Sequence, residues 1–246
     1  MIDTHTHLDA LDDSDAVVAR AREAGVGRIL TVGTDVPGCR RALELADAHD
    51  GVYAILGIHP HAAADATDAD VAEVRSLLAH PKAVGVGEMG LDWFRDYAPR
   101  DDQRRLFAAE LELAVELGKP VVIHTRAADD DTLAALAGHA GTVVLHCFSA
   151  PRMLPTALER GWYVSFAGNA TFPQAVDLRL AATQVPRERI LAETDSPYLA
   201  PQPVRGRRNE PANVVHTLAA LASARAEEPG ELERQIEQNA EQCFGV

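Results

Sequence analysis

Aromatic side chains are scarce in this chain, Phe, Tyr and Trp together making up 5% of its 246 residues. A core must therefore be assembled from Ala, Val, Leu and Ile, as in the strands and covering helices of an α/β layer structure. Cysteine is equally sparse. Cys39, Cys147 and Cys243 are odd in number, far apart and without a CxxC pair, which argues against a disulfide framework and fits a reducing compartment. The opening Met1-Ile2-Asp3-Thr4-His5 has neither the basic start nor the apolar stretch of a secretion signal. No apolar run approaches the ~18–20 residues of a membrane span. The expectation is a cytoplasmic protein. Lysine is nearly absent, only Lys82 and Lys119 being present, so positive charge rests on planar, bidentate arginine. Acidic residues outnumber basic ones and leave a formal charge of −14. Such a mean field repels anionic membranes and polyanions, so a phosphate-bearing substrate has to be held by a local site.

What is present is an alternation of short β-branched runs with longer amphipathic stretches. The runs are Met1–Leu8, Arg28–Val32, Val52–Ile58, Ala83–Met89, Pro120–His124, Thr142–His146, Tyr163–Phe166 and Ile190–Glu193. Helical periodicity falls between them over Asp15–Ala24, Gly38–Ala48, Asp70–Ala79, Gln103–Leu117, Asp130–Ala137, Met153–Glu159 and Gln174–Thr183, with Pro211–Ala222 and Glu231–Gln242 closing the chain. Parallel neighbours need a crossover, and eight strand–helix units can close on themselves, so the pattern predicts a single-domain (β/α)8 TIM barrel over residues 1–246. An open doubly wound sheet is the alternative, but no glycine-rich phosphate turn follows the first strand. No linker, repeat or low-complexity tract divides the chain.

In a TIM barrel the chemistry sits at the C-terminal ends of the strands. Those ends read Thr4-His5-Thr6-His7, Gly87-Glu88-Met89-Gly90-Leu91-Asp92, Ile123-His124-Thr125-Arg126, Leu145-His146-Cys147-Phe148 and Glu193-Thr194-Asp195. His5 and His7, two apart on a strand, present their imidazoles to the same face and can share a Zn, Mn or similar ion. Glu88 follows Val84-Gly85-Val86-Gly87, where small residues allow close approach near the barrel axis, and its carboxylate can bridge two cations. The rival bridge, a carboxylated lysine, is disfavoured because Lys82 and Lys119 precede their strands. His124 and His146, each unremarkable alone, suit a second ion completed by Glu88 and a water. Asp195 can ligate the first ion and accept a proton from the attacking water. Glu193 has the same inward parity one layer lower and reads as a support for the ligands or as half of a buried ion pair.

The remaining candidates carry two readings each. His59 and His61, in Gly57-Ile58-His59-Pro60-His61, either touch substrate or the second ion, or brace their loop. Arg126, Arg205, Arg207 and Arg208 form either a phosphate clamp or a solvated charged rim. His49, His80, His139 and His216 fall on helix faces or ends and read as structural.

Seven motifs, in order and nearly end to end, resemble the TatD family of metal-dependent deoxyribonucleases, within the wider amidohydrolase-like barrels. They are Asp3-Thr4-His5-Thr6-His7-Leu8-Asp9, Gly57-Ile58-His59-Pro60-His61, Gly87-Glu88-Met89-Gly90-Leu91-Asp92, His124-Thr125-Arg126, His146-Cys147-Phe148-Ser149, Glu193-Thr194-Asp195-Ser196-Pro197 and Arg205-Gly206-Arg207-Arg208-Asn209-Glu210-Pro211. The resemblance implies two divalent ions (Zn, Mn or Mg), one on His5, His7 and Asp195, the other on His124 and His146, with Glu88 shared. It also implies hydrolysis of DNA phosphodiesters, often from the 3′ end. Apart from the resemblance, a monomer or small homo-oligomer that does not engage membranes is expected. Trp93 stands where the family has Tyr and Met89 where it has Ile. The chain is short enough for loops that grip nucleic acid to be trimmed. A metal-dependent hydrolase of a small-molecule or aminoacyl ester or amide remains the alternative, and the −14 charge leans that way. A binding barrel without catalysis would have to bury six ionisable groups to no purpose.

Overall fold

The computed structural model describes all 246 residues, Met1–Val246. Eight strands lie side by side in chain order, β1 (Ile2–Thr6), β2 (Arg28–Gly33), β3 (Val52–Leu56), β4 (Ala83–Asp92), β5 (Val121–Arg126), β6 (Val143–Leu145), β7 (Tyr163–Phe166) and β8 (Ile190–Ala192). Every neighbouring pair from β1 to β8 is parallel. Helices α1 (Ser14–Glu23), α2 (Val36–Ala48), α3 (Asp68–Leu77), α4 (Arg100–Leu117), α5 (Asp129–Leu136), α6 (Leu154–Glu159), α7 (Val176–Gln184) and α8 (Val214–Arg225) follow the strands in turn, and α9 (Pro229–Phe244) ends the chain. This is the (β/α)8 barrel expected from the alternation. One cluster of 66 buried apolar residues, dominated by Val, Leu, Ile and Ala, runs through it.

Local chemistry sets the element ends. Thr67 and Asp70 form a reciprocal capping box that starts α3, satisfying donors the first turn leaves free. Asp35 accepts from the Gly38 amide at 2.6 Å to start α2. The penultimate helix-forming stretch departs from the expected Pro211–Ala222. Pro211–Asn213 is a 3-10 turn, and α8 proper begins at Val214 and continues to Arg225.

β4 is the longest strand, and it runs three residues past its expected end at Met89. The extension exists because Gly90, Leu91 and Asp92 pair with His124, Thr125 and Arg126 of β5. Glycine is required there: Gly90 has φ +142°, and a Cβ on it would lie 2.0 Å from the His124 carbonyl oxygen. Likewise a Cβ on Gly57 would lie 2.7 Å from the Gly87 backbone.

The ring closes between β8 and β1 through a single backbone bridge, Thr6 to Ser196, rather than a full ladder. Individual hydrogen bonds reinforce that seam. The His7 amide donates to the Ser196 carbonyl at 2.8 Å and the Asp195 amide to the His5 carbonyl at 3.0 Å. The buried Asp3 carboxyl accepts from the Thr194 amide at 2.8 Å and from its hydroxyl at 2.5 Å. At the opposite end, the Lys119 ammonium donates to the Ala83 carbonyl at 2.6 Å, and the Lys82 ammonium donates to those of Ala46 and His49. Neither lysine reaches the mouth. No helix is long and apolar enough to cross a membrane.

Candidate metal centre

His5 lies within β1 and Glu88 within β4, while His7 and His146 stand one residue past β1 and β6. His124 is in β5, and Asp195 follows β8 by three residues. The barrel brings all six together. The two oxygens of Glu88 divide the histidines between them. Oε2 lies 3.4 Å from His5 Nε2 and 3.8 Å from His7 Nε2, whereas Oε1 lies 2.7 Å from His124 Nδ1 and 2.9 Å from His146 Nε2. Asp195 Oδ1 sits 3.5 Å from His7 Nε2. A carboxylate with one oxygen in each half of a cluster has the disposition of a bridge between two cations.

Electrostatics keep the carboxylates ionised. Burial alone would raise the Glu88 pKa, but the imidazoles of His146, His59 and His124 outweigh it and hold the group well below its ordinary range. Asp195 behaves alike, burial being overcome by its hydrogen bond with His7 and the fields of His146, His7 and His5. For His146 burial would lower the pKa, yet Glu88 and Glu193 raise it well above the ordinary value. His5, by contrast, is lowered by burial and by His146.

Divalent ions fit this donor set on a direct observation. Both ring nitrogens of His5 are buried without any hydrogen-bond partner. Orphaned buried polar atoms are costly, and a ligand on one of them removes the penalty. Ligand atoms of His5, His7 and Glu88, of His5, His146 and Asp195, and of Glu88, His124 and His146 each fall within 4.8 Å of one another. Mixed imidazole and carboxylate donors suit Zn or Mn better than all-oxygen ions.

Two buried carboxylates hold the histidines in place. Glu193 Oε1 accepts from His146 Nδ1 at 2.9 Å and from the Cys147 amide at 2.8 Å, and its Oε2 accepts from Ser165 Oγ at 2.5 Å. This keeps a proton on Nδ1, so that Nε2, which faces Glu88, is the nitrogen free to ligate once its own proton leaves. Asp92 is a residue to which sequence reasoning gave no role. Its Oδ2 lies 2.8 Å from His61 Nε2 and 3.2 Å from His124 Nε2, and its Oδ1 accepts from the Phe94 and Arg95 amides. Burial would raise the Asp92 pKa, but the hydrogen bonds from His124, Arg95 and His61 lower it. The available signal was parity: Asp92 follows Glu88 by four on one strand and shares its face.

His59 and His61 lie beside the cluster. His59 Nδ1 accepts from the His61 amide at 3.1 Å, so the ring proton of the neutral form sits on Nε2, 3.5 Å from Glu88 Oε1. Burial lowers the His59 pKa to about 4. His59 is thus a neutral N–H donor aimed into the site. The four arginines divide. Arg126 lies over the Phe94 ring at 4.1 Å and Arg205 over the Phe172 ring at 4.0 Å, both on the rim. Arg208 is paired with Asp12 at 2.6 Å, and Arg207 is exposed on the same loop. His49 and His80 contact Asp15 and Asp47 away from the mouth. His216 lines a separate cavity of about 630 Å³ between α7 and α8 that holds none of these groups.

The model of the TatD related DNase family matches residues 2–245. The chain belongs to that family. Among relatives, the metal-dependent hydrolase YabD of Bacillus subtilis is 36% identical, with 100% of this chain and 99% of that one aligned. The 3′-5′ ssDNA/RNA exonuclease TatD of Klebsiella pneumoniae is 37% identical over 95% of this chain and 92% of its own. Among solved structures, the TatD homologue YjjV of Escherichia coli superposes with a TM-score of 0.94 at 31% identity, covering 100% of this chain and 98% of that one. This TatD-family chain is a metal-dependent hydrolase.

Proposed function

We propose that this TatD-family protein hydrolyses DNA phosphodiesters, removing nucleotides from a 3′ end, in the cytoplasm and as a monomer or small homo-oligomer. The observation that carries the proposal is the split of Glu88 between two histidine pairs, beside a His5 ring with no other partner. The name of the Klebsiella relative supports the substrate class. His5, His7 and Asp195 would hold one divalent ion, His124 and His146 the other, and Glu88 both. Ions held there supply Lewis-acid activation of water and charge neutralisation at phosphorus. Asp195, kept ionised by its imidazole neighbours, accepts the proton of the attacking water at the oxygen turned from His7. His59 donates its Nε2 proton in a hydrogen bond to a phosphoryl oxygen. Asp92 and Glu193 hold His124 and His146 in their ligating tautomers, and Arg126 and Arg205 steady flanking phosphates at the rim.

The test is turnover of 5′-labelled single-stranded DNA with Mn²⁺ or Mg²⁺, run beside a panel of aminoacyl esters, small esters and amides. Stepwise shortening from the 3′ end is the expected result. Hydrolysis of the ester or amide panel with no shortening of DNA would overturn the proposal in favour of the small-molecule reading.

A further inference from the structure

In a chain so poor in aromatics, the placement of the exposed ones is informative. Three are more than half exposed, Phe94 at 61%, Tyr97 at 63% and Tyr198 at 59%, and all three stand on the barrel mouth. Phe94 and Tyr97 lie in the loop between β4 and α4, and Tyr198 lies in the loop after β8. In an eight-stranded ring β4 and β8 are opposite one another. The Tyr97 ring meets the edge of His61 at 4.8 Å, and the Tyr198 ring meets His7 at 5.9 Å. The rings therefore flank the metal centre from two sides. An arginine lies over an aromatic ring on each side as well, Arg126 over Phe94 and Arg205 over Phe172.

Charge argues in the same direction. With a net charge of −14 the mean field does not draw in a nucleic acid, so contacts to the bases must add to the few local ones at the phosphates. Tyrosine offers a large, rigid face at small entropic cost, and every nucleobase has a face to lay on it. Bases splayed to opposite sides of a phosphate cannot remain stacked on each other or paired in a duplex.

We propose that Tyr97 and Tyr198 are stacking platforms for the two unpaired nucleobases on either side of the scissile phosphodiester, with Phe94 continuing the platform on the Tyr97 side. This rests on the phosphodiesterase reading and adds which side chains would grip an unpaired end of the kind the Klebsiella relative's name specifies, and that they would do so by its bases. The sugar–phosphate chain crosses the metal centre between the two tyrosines.

The experiment compares two single-stranded oligonucleotides, one intact and one with abasic residues at the two 3′-terminal positions, on the metal-loaded parent and on Tyr97→Ala, Tyr198→Ala, Tyr97→Phe and Tyr198→Phe. Both positions are exposed, so unfolding temperatures should match the parent. The parent should prefer the intact strand, and each alanine variant should lose about 5- to 100-fold of that preference through KM, the scale of one base stacked on one aromatic ring. The phenylalanine variants should keep it. Parent affinity for the intact strand should fall by less than about tenfold between 50 and 200 mM salt, as for one or two neutralised phosphates. Alanine variants that retain the parent's preference, or phenylalanine variants that lose it as fully as alanine, overturn the platform while leaving the phosphodiesterase reading intact. A parent that shortens neither strand overturns both.

Discussion

Replacing Glu193 with Gln tests the tautomer argument at one atom. Glu193 is fully buried and accepts from His146 Nδ1, the Cys147 amide and Ser165 Oγ. Gln is nearly isosteric, so packing is kept and only the charge and one acceptor change. A hydrogen bond to a charged acceptor contributes about 1.5–3 kcal/mol and a neutral one about 0.5–1.5. The difference, about 1–1.5 kcal/mol on the His146 bond, corresponds to about a tenfold loss in the affinity of the ion on that imidazole. If the amide turns its NH2 toward Nδ1, the proton moves to Nε2 and the loss approaches about 100-fold, the upper end of what removing such a support does. The assay is turnover against metal concentration, with bound metal counted after dialysis. The activation curve should move to about 10- to 100-fold higher metal and recover most of its plateau. An activation curve within threefold of the parent would refute the role of Glu193, and so would a lowered plateau at unchanged metal affinity.

Asp195→Asn should lower turnover by about 10²–10⁴, the scale of a positioned acid–base group, while keeping at least one bound ion on Glu88, His124 and His146; turnover within threefold of the parent would move the base elsewhere. For His7, His124 and His146 burial would lower the pKa, but Glu88, Asp92, Asp195 and Glu193 raise it. The stability that their protonated forms give the metal-free protein is therefore complete below about pH 6.5 and is lost as pH rises through the raised values. Metal affinity climbs over the same window, because ligation requires the protons to leave. Melting temperatures should fall with rising pH for the stripped protein and not for the loaded one, and activity lost below about pH 6.5 should return in part with excess metal. Gly90→Ala should destabilise the fold by at least about 2 kcal/mol, read by denaturant unfolding, because a side chain there has both a disfavoured φ and a collision with the His124 carbonyl.

The barrel was legible because each strand is a short β-branched run punctuated by helix, and because closure demands no information beyond that order. The histidines and carboxylates were legible because this fold sends its chemistry to the strand ends. Asp92 was not, since its parity with Glu88 counts only if β4 runs that far, and the length of β4 depends on pairing with β5 across some thirty residues. The tautomers of His59, His124 and His146 were hidden for the same reason: each is set by a group distant in sequence, or by a backbone amide whose direction only the loop defines. Among the arginines, nothing in Arg205-Gly206-Arg207-Arg208 distinguishes the one that rests on Phe172 from the one that binds Asp12.

The seam between β1 and β8 would make an ion held by His5, His7 and Asp195 a sensor of chain completion. Of these proposed ligands, His5 and His7 leave the ribosome first, and Asp195 follows only after seven strand–helix units have been synthesised. At translation rates of about 5–20 residues per second, the N-terminal histidines wait on the order of ten seconds or more for their partner. Until β8 docks, nothing but β2 pairs with β1, and the edge of the growing sheet is open to other strands. Among the strand-to-strand contacts this closure has the greatest sequence separation, hence it is the slowest of them to form by chance. An ion that binds only the closed ring withdraws that ring from the opening equilibrium. Amide exchange at His5–His7 and Thr194–Ser196 should thus respond to metal as one unit, and a nascent chain arrested before β8 should take up about one ion fewer than the finished protein.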